Sequence, residues 1–181
     1  MSTPREAIVL DITRPPATPS RWAWPGAGKV YRGGNPYQAR RETIRFLKER
    51  VERTRAMLAV DFEDTEGRPW QYVFSAARQR DGTWKVEGGA GGGGGVSRSA
   101  GPWANFGGWG GPKHLCLGGR VHGEGVRRVR LIDARGLVVE DSVDDGIALL
   151  LCSEPVKVPC RLELLDAGGR VLTTQSWPPD S

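Results

Sequence analysis

The chain has 181 residues, 38% of them hydrophobic, and a net charge of +5, which suits one domain or two small ones with a real core. It holds no apolar run approaching the roughly 18 residues of a membrane-spanning helix. Arginine outnumbers lysine by 21 to 5, a bias of GC-rich coding, so arginine content alone argues for no ligand.

Residues 1–36 form an arm rich in proline and glycine. Ile8–Ile12 predicts one strand, and the prolines and glycines beyond it forbid long regular structure. The apolar run Ala7–Leu10, closed by Asp11, is too short for a signal-peptide core, so a cytoplasmic protein is expected. Trp22 and Trp24 are expected to lie against the body of the protein or against a partner.

Residues 37–55 read as a helix. Pro36 sits at a plausible start, Ile44, Leu47 and Val51 follow i, i+3, i+7, and Leu58 extends the stripe. Residues 21–55 carry ten cations against three carboxylates, a surplus of +7 that leaves −2 for the rest of the chain. Arg40, Arg41, Arg45 and Lys48 are the candidate phosphate-binding residues of this helix. The competing reading is a solvated face with local ion pairs such as Glu42 with Arg45 and Glu49 with Arg53. No helix-turn-helix, zinc-finger, RNP or GXXG pattern accompanies the charge.

Residues 56–87 predict an antiparallel meander, with strands at Met57–Glu63, Trp70–Ala77 and Thr83–Glu87. Alternation places Trp70, Tyr72, Phe74 and Ala76 on one face. Residues 88–112 then hold twelve glycines in 25 positions. The Gly91–Gly95 run predicts a mobile surface loop, because glycine loses the most backbone entropy on ordering. Trp103, Phe106 and Trp109 predict that the Pro102–Pro112 part packs onto a strand surface.

From 113 to 181 short strands alternate with turns. Leu115–Val121, Val126–Ile132, Leu137–Ser142, Ile147–Cys152, Cys160–Leu165 and Arg170–Trp177 are separated by Gly- or Pro-containing turns. That rhythm predicts a β-sandwich. The runs Val126–Leu131, Asp144-Asp145-Gly146 and Asp166-Ala167-Gly168-Gly169-Arg170 resemble a strand-and-turn type common in actinobacterial proteins. The resemblance implies an immunoglobulin-like sandwich and carries no activity and no site residue.

Chemical motifs are sparse. Gly26-Ala27-Gly28-Lys29-Val30 lacks the upstream glycine of a phosphate loop, where Ala23 stands, and the Ser or Thr after the lysine. The glycine run opens no helix, so it makes no dinucleotide fingerprint. His114, Cys116, His122, Cys152 and Cys160 match no standard zinc spacing. The three cysteines are odd in number and in apolar contexts, which predicts buried, reduced thiols. Asp141, Asp144 and Asp145 sit at a hairpin end, where aspartate is ordinary turn chemistry. Trp22, Trp24, Trp103 and Trp109 lie in irregular segments and are the candidate ligand platform, for sugars or exposed bases.

The expected fold is therefore mainly β: a helix plus antiparallel meander at 37–87, a Gly/Trp-rich loop at 88–112 and an immunoglobulin-like sandwich at 113–181. No catalytic residue, metal or cofactor is expected. The leading functional expectation is a non-catalytic cytoplasmic interaction or scaffold module with a protein partner. The second is nucleic-acid or phosphate binding through 37–55. The third is an enzyme or small-ligand binder with a pocket between the two β portions.

Overall fold

The computed structural model describes residues 2–16, 19–20, 30–31, 35–92, 101–110 and 113–178. Within them the protein is mainly β, and no helix is long and apolar enough to cross a membrane. Trp22, Trp24 and Gly93–Gly95 lie outside the described residues.

The chain opens with a helix, α1 (Pro4–Ile12), where a strand was expected. The Thr3 hydroxyl accepts the Glu6 amide at 3.2 Å and the Glu6 carboxylate accepts the Thr3 amide at 2.7 Å. That reciprocal capping box, with Pro4 in the first turn, nucleates the helix despite β-branched residues at Ile8, Val9 and Ile12. Ile8 and Ile12 lie four apart on one face, and both are fully buried. Two short strands, β1 (Pro19–Ser20) and β2 (Val30–Tyr31), pair with each other.

The expected helix at 37–55 is not formed. A 3-10 turn, Arg41–Thr43, leads into strand β3 (Arg45–Glu52). The next strands are β4 (Arg55–Glu63), β5 (Pro69–Arg78) and β6 (Trp84–Gly92), and the four make an antiparallel meander in chain order. β3 is an edge strand, and edges are commonly guarded by charge, so its arginines and glutamates mimic a solvated helix face. A bulge between Phe46 and Lys48 breaks its alternation, and Leu47 packs on the core shared with the middle sheet. Val51, the third residue of the supposed stripe, is 51% exposed.

The glycine-rich segment is also more regular than expected. Gly91 and Gly92 belong to β6 and pair with Tyr72 and Gln71. Residues Trp103–Gly110 do not lie on a strand surface but form strand β7 itself. There follow β8 (Leu115–His122), β9 (Arg128–Ile132), β10 (Val138–Ser142), β11 (Ile147–Cys152), β12 (Cys160–Leu165) and β13 (Val171–Trp177). These coincide closely with the six strands expected from the turn rhythm.

The seven strands β7–β13 divide into a middle sheet, β11-β8-β7, and an outer sheet, β10-β9-β12-β13. Leu115, Leu117, Ala148 and Leu150 of the middle sheet meet Val129, Leu131, Leu162 and Leu164 of the outer one. The other face of the middle sheet is covered too. Ile147, Leu149, Leu151 and Cys116 pack against Met57, Ala59 and Val73 of the meander. The meander's far face carries α1, where Ile8, Ile12 and Tyr37 meet Leu58, Val60, Phe62 and Phe74. The layers run helix, meander, middle sheet, outer sheet. β11 therefore reads as a continuous apolar run, Ile147–Leu151, because both of its faces are buried.

Three turns share one construction. In Asp64–Arg68, Asp133–Leu137 and Asp166–Arg170 the aspartate carboxylate accepts the amide four residues on, at 3.0, 2.9 and 2.9 Å. The fourth residue is a glycine with φ of +78°, +87° or +84°, a conformation that a side chain disfavours. Asp64 also accepts the Trp70 indole N–H at 2.9 Å. Burial pushes the Asp64 carboxyl up, but hydrogen bonds from Trp70, Arg68 and Glu66 outweigh it and bring it down to about 2.

Candidate functional site

A cleft of about 910 Å³ opens between the meander and the middle sheet, at the end away from Leu149 and Leu151. Two facing cross-strand rows build it. In the meander, Arg45, Asp61 and Gln71 are directly opposite one another on β3, β4 and β5. In the middle sheet, Asn105, Arg120 and Ile147 are opposite on β7, β8 and β11. The next pair outward is Trp103 with His122.

The rows are joined. The Arg120 Nε donates to the Gln71 Oε1 at 2.6 Å, and the Gln71 Nε2 donates to the Asp61 Oδ1 at 2.6 Å. Arg120 also reaches the Asp145 carbonyl at 3.3 Å and lies 3.9 Å from the Asp61 carboxylate. The Gln71 amide is thereby held at both ends. Trp103 and His122 stack with ring centroids 4.4 Å apart and planes 12° from parallel. Burial, and then the Arg120 charge, hold the His122 pKa below its ordinary value, which favours the neutral imidazole.

Glycine determines how close the walls come. A Cβ on Gly107 would sit 2.3 Å from the Ala90 Cβ, so β7 approaches β6 only because that side chain is missing. Gly107 pairs with Gly118, so the floor of the cleft is bare backbone beside its polar rows.

Of the expected site residues, Trp103 and Arg45 line the cleft. Trp103 is half-buried and lines the cleft. Trp109 is in β7, paired through its backbone with Cys116. Arg45 is exposed at the cleft. Arg40 pairs with Glu42 at 2.9 Å and Glu63 at 3.3 Å, and Arg41 lies in the 3-10 turn. Lys48 turns inward, 2.7 Å from both Asp141 and Asp144, with its side chain 10% exposed. With no helix to align them, the four cations are spread over the 3-10 turn, the residue before it and strand β3. Asp141, expected to be a plain turn residue, binds Lys48, lies 3.4 Å from Arg50 and accepts the Leu149 amide at 2.6 Å.

Asn105, Gln71, Asp61, Arg120 and His122 escaped sequence reasoning as a binding set. A signal existed in the period-two strings Trp103-x-Asn105-x-Gly107 and Gly118-x-Arg120-x-His122, which place one polar and one aromatic group per strand on the same face. The pairing of the two strings is a tertiary fact.

Cys116 and Cys160 are buried, Cys152 is half-buried, and all three are free. Burial pushes the Cys116 thiol up to about 12. Among the described residues no three His, Cys, Asp or Glu side chains converge as metal ligands. No protein-family model, curated protein or solved structure matches the chain.

Proposed function

We propose that this chain is a non-catalytic binding module that takes a small ligand in the cleft between the meander and the middle sheet. The observation that carries the reading is the Asp61–Gln71–Arg120 network beside the Trp103–His122 stack. It is a concave site with an aromatic wall and a few polar groups held in place before any ligand arrives. The chemistry of the remaining ionisable groups supports binding over turnover. Asp64, Asp133 and Asp166 are committed to turn amides, which hold them ionised.

The strands β7–β13 are read here as an immunoglobulin-like sandwich. Lettered A to G in chain order, with the fourth strand as C′, they give A, B and E in one sheet and C′, C, F and G in the other, which supports that reading. Three unpaired cysteines suit a reducing compartment, in keeping with a cytoplasmic site of action.

The test is a screen of small metabolites by protein-observed NMR, on the wild type and on Asn105→Trp. Position 105 is exposed on β7 and lines the cleft, so the large ring fills its mouth. Bound compounds should shift amides near 71, 105 and 120, lose about tenfold or more in affinity in the variant, and be recovered chemically unchanged. Hits that map elsewhere, or bind both proteins equally, would refute the assignment.

A further inference from the structure

We propose that the ligand is a neutral saccharide, stacked on Trp103 and read through its hydroxyls by Gln71, Asp61 and Asn105. The inference rests on the cleft being the ligand site.

The first argument is shape. A pyranose ring presents a face of C–H groups and a rim of hydroxyls. The face suits a flat aromatic, and Trp103 is held flat by its stack on His122. The rim suits planar groups that donate and accept side by side. Gln71 and Asn105 are amides of that kind, and Asp61 supplies further acceptor capacity. Because Arg120 and Asp61 already fix the Gln71 amide, little side-chain entropy remains to be lost on binding.

The second argument is charge. The cleft is lined by two guanidiniums, Arg45 and Arg120, and two carboxylates, Asp61 and Glu63, so its formal charges sum to zero, with Glu63 also paired to Arg40 at its edge. His122 adds no charge in its neutral form. A phosphate-bearing ligand needs a net positive site, and here Arg120 is already committed to Gln71 and the Asp145 carbonyl. A purely apolar ligand would strip water from these polar groups without replacing it. An uncharged ligand rich in hydroxyls satisfies both conditions.

The experiment titrates the full chain with neutral oligosaccharides of glucose, galactose and xylose, with sugar phosphates, and with mononucleotides and short oligonucleotides. Binding is followed by calorimetry and amide shifts. A neutral saccharide should bind and shift amides around 71, 103–107 and 118–122. Its affinity should change less than about twofold between low salt and roughly 0.5 M, because no counterions are released. Trp103→Ala should weaken it by about tenfold or more, and Trp103→Phe by much less. Phosphorylated ligands or nucleotides binding at those amides, in place of neutral sugars, would overturn the saccharide assignment and leave the cleft as the ligand site. No binding by any class, or saccharide binding untouched by Trp103→Ala, would overturn the saccharide assignment, and saccharide binding that shifts amides away from the cleft would overturn the cleft as the site.

Discussion

Leu149 lies between the middle sheet and the meander, and Leu149→Ala measures that stacking directly. The side chain is fully buried in the core shared by the middle sheet and the meander. The substitution removes three carbons, or roughly 2.4 kcal/mol of transfer free energy at about 0.8 per carbon. A cavity term is added, because the site has little freedom to collapse. The Leu149 amide donates to Asp141 at 2.6 Å and its carbonyl accepts from Arg50 at 3.2 Å, so the backbone is pinned from two directions. The expected cost is about 3–5 kcal/mol, the upper part of the range for leucine truncation. Urea unfolding followed by tryptophan fluorescence and far-UV circular dichroism is the assay. The midpoint should fall with the slope unchanged, and both probes should move together. Val171→Ala, at a position 43% exposed, should cost less than about 0.5 kcal/mol. A Leu149→Ala cost below about 1 kcal/mol would refute the shared core.

Three further outcomes follow from the same contacts. Lys48→Met and Asp141→Asn should be strongly non-additive in a double-mutant cycle, coupled by about 1–3 kcal/mol, because the pair is nearly buried at 2.7 Å; additive effects would show that the contact is inert. Acid should destabilise the fold. Asp64, Asp133 and Asp166 are depressed in the folded state, so their contribution is complete above the unfolded value near 3.9 and is lost as pH falls through their folded values, which for Asp64 is about 2. In pH-dependent denaturation Asp64→Asn should flatten that loss, and an unchanged acid profile would contradict the assignment. In native thiol labelling, half-buried Cys152 should react well before Cys116, whose thiol burial has pushed up to about 12; equal rates would count against the burial.

Much of the β architecture was legible because turns are local. Asp and Gly spaced three apart at Asp64, Asp133 and Asp166 close their own hydrogen bonds within five residues, so strand ends around them could be placed from sequence. Cys160–Leu165 matches the expected strand and β4 and β5 nearly do, while β6 runs on to Gly92 beyond the expected end at Glu87. The face made by Trp70, Tyr72 and Phe74 followed from alternation alone, and their rings do cluster, with Tyr37 at 5.1 Å from both Trp70 and Tyr72.

What failed depended on partners distant in the chain. Three apolar residues at helical spacing were outweighed at 45–52 by backbone pairing with β4, and the surface charge there reflects a strand edge. The short N-terminal helix is the exception, because its capping box at Thr3 and Glu6 is local and outweighs the β-branched run behind it. Glycine disfavours strands, so the Gly/Trp-rich segment looks like a loop in sequence, yet pairing with β8 makes 103–110 a strand, and the missing Cβ at Gly107 lets it close on Ala90. The sequence by itself determined the strand rhythm, the turns and the unpaired cysteines, all set within a few residues. Only the tertiary structure decided that the middle sheet is buried on both faces, and that Gln71, Arg120 and Trp103 meet across one cleft. Those contacts join residues 49 positions apart, as Arg120 and Gln71 are, or 99, as Arg50 and Leu149 are, and no local pattern records them.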